Sequence, residues 1–388
     1  WLARSDSGFR FLSVSDKDRA AILPIGRARG PVYWFVGDRF TTSTWYADTL
    51  PAWVTGWNAR RGADRLVGSS WTLLLPDTDY AEPDDRPFEA GGRDVTFPHS
   101  LPQDTVAALR MLSARPWMDS LTLDFALDGV RSLGLGRRSR PDLLVLGLSA
   151  TDYIGHRWGP GSREMHDQQL RLDRYLGAFL DSLNVLVQGR PLLVVLTADH
   201  GVTPYPEAAR AEGHDAGRLG LDAFVRGVNR TLPPGAALSA GPGLIYGDTS
   251  RLRAVGVSPE SLATTLMLRI RRVHGVVDAW TPATLGAPLR SNVGAVRWRR
   301  SLPADFSWLV CVVPAPGYIW DENPGSTSHG TPNPDDVIVP IVFMGPGVRP
   351  GIYPDTVRTV DIAPTLARLL DVRPGEKLDG KRIGRVLR

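Results

Sequence analysis

The chain has 388 residues, of which 43% are hydrophobic, 22% charged and 8% aromatic. That balance fits a folded globular protein and excludes disordered, collagen-like and coiled-coil chains. The formal net charge of +4 is small and the basic residues are scattered, so nucleic acid is not expected as a structural partner. No apolar run reaches the ~18 residues that a membrane span needs.

In chain order, residues 9–15 read as a strand that ends at Asp16-Lys17-Asp18-Arg19. Residues 32–35 and 40–44 flank Gly37-Asp38, the signature of a hairpin. Residues 60–100 are rich in Pro, Asp and Gly and predict a surface excursion. Two helical patterns follow within 104–134, separated near Pro116. Residues 142–148 form a continuous apolar run, the pattern of a strand covered on both faces. A polar loop is expected over 149–162. From Glu164 onward Leu172, Leu176, Phe179 and Leu183 recur at helical spacing. Residues 192–196 predict a second buried strand. This strand–helix–strand order argues for an α/β fold with a mostly parallel sheet flanked by helices.

Residues 205–330 are mixed, with a helix expected at 259–273 and strands near 243–246 and 308–313. Residues 337–343 read as another strand, closed by Gly345-Pro346-Gly347, and Asp361 is placed to cap a final helix. The single cysteine, Cys311, falls inside an apolar strand pattern and reads as a small buried hydrophobe.

Ligands of open α/β sheets collect at the carboxyl ends of the strands. Both predicted central strands run into potential metal ligands: Asp152 and His156 after the first, Asp199 and His200 after the second. A third segment, Ser328-His329-Gly330, precedes a further strand. Carboxylate oxygen and imidazole nitrogen together suit zinc and similar divalent metals. Two such ions ~4 Å apart make a clamp for in-line displacement at phosphorus. His99, His166, His214 and His274 read as solvated or core residues. Lys17 is one of three lysines among 45 basic residues, a departure from the local habit of arginine.

Thr197-Ala198-Asp199-His200-Gly201, Asp152-Tyr153-Ile154-Gly155-His156 and His329-Gly330 together resemble the alkaline phosphatase superfamily, and within it the type I phosphodiesterase/nucleotide pyrophosphatase branch. The segment from Ser13 to Pro24, with its Lys17-x-Arg19 pair, is similar to the PafA-type group of alkaline phosphatases. So are Tyr33-Trp34-Phe35, the segment around Trp45 and that around Trp53. The resemblance implies one α/β domain over residues 1–388, with insertions or cap segments inside 30–140 and 205–330. It implies two zinc ions, the first held by Asp152, His156 and His329, the second by Asp199 and His200. Lys17 and Arg19 would contact the non-bridging oxygens of a phosphoryl group. The implied activity is hydrolysis of small phosphate monoesters. The alternatives are a phosphodiesterase or nucleotide pyrophosphatase on the same scaffold, or a non-catalytic remnant that binds metal or phosphate. The implied location is periplasmic or secreted; oligomeric state is not legible.

The chain departs from the pattern in one respect. The family's Thr or Ser nucleophile, and a further Asp of the second metal site, lie upstream of the Lys-x-Arg pair, and the 16 residues before Lys17 contain no matching strand and turn. Thr42 and Thr44 sit in the hairpin region with nothing tying them to metal. The expectation is that the nucleophile lies outside these residues and that an N-terminal portion is missing.

Overall fold

The computed structural model describes residues 1–286, 292–303 and 305–388. In chain order the first elements are β1 (Phe11–Ser15), α1 (Asp18–Ile22), β2 (Val32–Val36), β3 (Arg39–Thr41), α2 (Ala52–Ala59), α3 (Thr105–Leu112), α4 (Trp117–Leu133) and β4 (Leu143–Gly147). β1 is buried along its whole length and pairs in parallel with both β2 and β4, so Ser13 stands beside Val32 on one side and Val145 on the other. β3 closes the edge as an antiparallel hairpin, giving the order β3-β2-β1-β4. Gly37 supplies the positive φ of 65° at the tip. Pro116 separates α3 from α4, and α4 stops at Gly134 in the left-handed region.

The largest core lies against this sheet. Phe125 of α4 stacks on Phe40 with centroids 4.1 Å apart, while Tyr33 and Trp57 meet it edge-on. Such aromatic pairs add about 0.5–1.5 kcal/mol each beyond their buried area. The mostly parallel sheet flanked by helices is the fold class expected.

After β4 come α5 (Ala150–Trp158), α6 (Arg163–Leu186) and β5 (Val194–Thr197). The expected loop over 149–162 is therefore largely helix. Asp152 and His156 stand four apart on it, the spacing that brings side chains onto one helical face. A second correction concerns burial. β4 is half-buried along its length, and Leu196 of β5 is 41% exposed. β4 bonds only to β1 and β5 only to a later strand, so β4 and β5 are not sheet neighbours. Each keeps an edge without a strand partner among the described residues, which is why neither is covered as predicted.

The stretch 60–100 is irregular, as expected, but it is not simply surface. Trp71 and Tyr80 are buried because both donate to the buried carboxylate of Asp167 on α6, at 2.6 and 2.7 Å. His99, fully buried, bonds Asp94 and Glu164 at 2.9 Å each. Burial alone would lower its pKa, but these two carboxylates carry it above the ordinary value.

Residues 221–314 build a second sheet: α7 (Leu221–Asn229), β6 (Ser239–Gly241), β7 (Leu244–Tyr246), α8 (Pro259–Ile270), β8 (Val276–Trp280) and β9 (Trp308–Pro314). All pairings are antiparallel, in the order β8-β9-β7-β6. Its own core gathers Ile245, Leu266, Ile270, Leu309 and Val312. Cys311 is buried in β9 as predicted.

The chain then returns to the first body. β10 (Ile341–Met344) pairs antiparallel with β5. The strand predicted from 337 begins four residues late, because 334–337 form a helical turn and Pro340 has no N–H to give a ladder. The last helix, α9 (Ile362–Leu369), follows Asp361, but the Asp361 side chain does not cap it. Its carboxylate instead accepts from the backbone N–H groups of Arg358 and Lys381.

Candidate metal centre

β4 ends at Gly147, and α5 starts three residues later with Asp152 in its first turn and His156 in its last. The chain reaches Gly159 with φ 93°, a conformation that ends the helix there. Asp152 Oδ1 lies 3.4 Å from His156 Nε2 and 3.6 Å from His329 Nε2. Asp152, His156 and His329 each offer a ligand atom within 4.8 Å of the others. His200 Nε2 stands 3.8 Å from the same Asp152 oxygen, and its ring stacks on His329 with centroids 3.4 Å apart. Three imidazoles thus surround one carboxylate oxygen.

Several observations test whether these residues fit a cation. Asp152 Oδ1 is buried and has no hydrogen-bond partner, although it faces three nitrogens. His156 Nδ1 lies 2.7 Å from the carbonyl of Thr327, and His200 Nδ1 lies 2.9 Å from that of Gly201. A carbonyl only accepts, so Nδ1 carries a proton in both rings, and each Nε2 is left facing Asp152. This is the outer-shell arrangement that prepares histidine for a metal. Burial lowers the pKa of His329 to about 4, with repulsion from His200 adding to it. The ring is therefore neutral at neutral pH. The donor set of one carboxylate and three imidazoles fits a divalent metal of the zinc type.

The other predicted residues divide. Lys17, just before α1, bonds Asp152 Oδ2 with its ammonium and lies 4.4 Å from the centre of the Tyr153 ring. Burial would raise the Asp152 carboxyl, but Lys17, then His156 and His329, bring it below its ordinary value. Arg19 lies in α1 and is exposed, and no ion pair joins it to the cluster among the described residues. The side chain of Asp199 is 88% exposed and lies 3.4 Å from His200 Nε2. Lys17, Asp152, His156, His200 and His329 come together; Asp199 adjoins them at His200, and Arg19 is exposed.

Sequence reading missed the residues that hold this cluster. Thr327 accepts from His156 through its carbonyl while its N–H donates to the His156 carbonyl. Asp336, buried, accepts from Thr203 Oγ1 and from the Thr331 N–H, and its carbonyl takes the N–H of Gly201 at 2.8 Å. Any side chain at Gly201 would drive a Cβ to 2.0 Å from the Asp335 carbonyl. The proximity of Thr327 to His329 was the available signal; nothing in the sequence marks Asp336.

The sequence profile described as type I phosphodiesterase / nucleotide pyrophosphatase matches residues 23–223, more than half of the chain. The chain belongs to the type I phosphodiesterase/nucleotide pyrophosphatase family. Within this family, alkaline phosphatase PhoV of Synechococcus elongatus is 30% identical over 392 residues, covering 98% of this chain and 70% of the relative. Alkaline phosphatase PafA of Elizabethkingia meningoseptica is 29% identical, covering 97% of this chain and 71% of the relative. The crystal structure of wild-type PafA superimposes with a TM-score of 0.85 at 27% identity, over all of this chain and 76% of the other. The resemblance read from the motifs is thus borne out at the level of family and fold.

Proposed function

We propose that this member of the family is a metal-dependent hydrolase of small phosphate monoesters, an alkaline phosphatase that uses two zinc ions. The observation that carries the reading is the Asp152 carboxylate, shared between the Lys17 ammonium and three Nε2 atoms. Asp152, His156 and His329 would hold one ion; His200, with Asp199 after a turn of its side chain, would serve the second. When bound, the ions stabilise the attacking and leaving oxygens at phosphorus as Lewis acids. The chain's own part is to turn Nε2 of His156 and His200 toward Asp152 through their Nδ1–H bonds and to fix Lys17. An ammonium has three donors, and Asp152 takes one. The other two can meet the non-bridging oxygens of a phosphoryl dianion, whose charge a positioned cation stabilises.

We infer that the Thr or Ser nucleophile comes from sequence outside these 388 residues. Among the described residues no Ser or Thr hydroxyl bonds the side chain of Asp152, His156, His200 or His329. A further strand between β4 and β5 would cover their unpaired edges and deliver such a residue to the end of the sheet where Asp152 and His200 meet. By the same resemblance we propose a periplasmic or secreted location. No helix of the described residues is long and apolar enough to cross a membrane.

Elemental analysis for zinc, with turnover of phenyl phosphate against methyl phenyl phosphate by the full-length protein, tests the reading. Monoester preference that falls selectively in Lys17→Ala is expected. Absence of bound metal, or equal loss on both esters, overturns it. A diesterase is the second reading: Arg19 is exposed and joins the cluster through no ion pair among the described residues, whereas Lys17 is held at Asp152.

A further inference from the structure

The metal reading places two ligands on a helix of only nine residues, α5. A helix this short is marginal by itself, so its position must be imposed by its surroundings. Rotation about its axis by ~20° would swing an atom ~6 Å from the axis by about 2 Å, given helical geometry. Metal ligands tolerate errors of only about 0.2 Å. What fixes α5 is therefore part of the site.

Its C-terminal half is tied at three points. Trp158 Nε1 donates to the Asp94 carbonyl at 3.0 Å, the Tyr205 hydroxyl to the Arg157 carbonyl at 2.7 Å, and the Thr327 N–H to the His156 carbonyl at 2.9 Å. The N-terminal half, which carries Asp152, is held differently. Ser149 stands at the cap position but its side chain makes no capping bond. The first-turn N–H of Ala150 instead donates 3.1 Å to Asp119 Oδ1, which belongs to the first turn of α4. Asp119 Oδ2 accepts from Gln168 Nε2 of α6 at 2.9 Å, and the same nitrogen reaches Thr151 Oγ1 at 3.1 Å. Asp119, Gln168 and Ala150 are all completely buried. A carboxylate at a helix N-terminus meets the free N–H groups and the positive end of the helix dipole. Here it is imported from another helix, and Gln168 ties a third helix to the same point.

We propose that Asp119 and Gln168 are positioning residues: they set the height and rotation of α5 so that Asp152 and His156 face His329 and His200. They touch neither substrate nor metal and act through Ala150 and Thr151. The proposal rests on the metal reading above.

The test is metal affinity of the whole chain, measured with zinc and with cobalt(II) by chelator competition, beside the visible spectrum of the cobalt form. Asp119→Ala is expected to weaken the tightest site at least tenfold and to alter the cobalt spectrum. Asp119→Asn is expected to return affinity to within about threefold of the native chain. Its amide oxygen can still accept from Ala150, and its amide N–H can meet Gln168 Oε1, which has no partner now. Phe125→Leu, in the same helix but within the aromatic core, should lower thermal stability as much while leaving affinity unchanged. Gln168→Leu is the variant to read if Asp119→Ala does not fold, with a weakening of about threefold expected. Affinity and spectrum unchanged in Asp119→Ala, or an equal loss in Phe125→Leu, overturns the proposal. So does failure of Asp119→Asn to restore binding. If the native chain takes up no metal, the functional reading fails and this one with it; native uptake with unaffected variants sinks this one alone.

Discussion

Lys17→Met removes the ammonium at the centre of the cluster and keeps most of the apolar stem. The side chains of Lys17 and Asp152 are 10% and 17% exposed. Breaking a fully buried ion pair costs about 3–5 kcal/mol, because the remaining charge has no compensation. The residual exposure of Asp152 and its neighbouring imidazoles reduces this to roughly 2 kcal/mol, a ~30-fold change in the folding equilibrium. The assay is urea unfolding followed by tryptophan fluorescence, with chelator present and at pH 7. A divalent cation on Asp152 replaces the lost charge, so adding zinc should close the gap to under about 0.5 kcal/mol. The pH dependence has a fixed sign. Although burial opposes it, Lys17 leads the groups that hold the Asp152 carboxyl below its ordinary value. Its contribution is therefore present above the unfolded value of about 3.9 and is lost as pH falls through the folded one. Native and variant should converge in acid. Equal urea midpoints at pH 7 in chelator, or a gap that zinc leaves untouched, would refute the shared-carboxylate geometry.

Glu89 is buried with neither carboxylate oxygen hydrogen-bonded among the described residues and Arg86 at 3.8 Å, and burial, reinforced by Glu164, pushes its pKa up to about 8. The native chain then keeps a proton that the unfolded chain gives up above about 4.3, so stability falls as pH rises toward 8. Glu89→Gln should gain on the native chain between pH 5 and 8, by at most about 1.4 kcal/mol per pH unit; parallel urea midpoints across that range would contradict it. Burial raises the Cys311 thiol to about 12, so a thiol reagent at pH 8 should label it only after denaturant is added, and rapid labelling of the folded chain would exclude the buried strand position. Trp71→Phe takes one donor from the buried Asp167 carboxylate, which keeps Tyr80, Leu74 and Arg171. A loss of about 1–3 kcal/mol is expected in thermal or urea unfolding, and no measurable change would mean the 60–100 stretch is not anchored there.

Much of the centre was legible because metal ligands are few in kind and fall at strand ends. Asp152, His156, His200 and His329 needed only residue type and placement. Arg19 and Asp199 are exposed, which residue type and placement did not reveal. Asp199 Oδ2 lies 3.4 Å from His200 Nε2, the nitrogen that faces Asp152, yet its side chain is 88% exposed. Lys17 lies before α1 and Arg19 within it, where each residue turns the direction by about 100°. Adjacency in sequence does not show how far each side chain is covered. The strand candidates at 142–148 and 192–196 were found, but not which strands they pair with. An apolar run shows that a strand seeks cover, not what covers it. The buried supports Asp119, Thr327 and Asp336 carried no motif, since one hydrogen bond to a backbone N–H or carbonyl leaves no periodic trace.

His329 reaches the cluster on the segment that leads back from the antiparallel sheet, and Thr327 bonds that segment to α5 and to Thr203 at once. The seam between the two sheets thus runs through the imidazoles themselves. Anything that shifts the outer sheet by an ångström must either break the Thr327 bonds or drag His329 across the face of His200. Changes acquired far out on that sheet, chosen for reasons unrelated to chemistry, would be felt first as a change in grip on the ion.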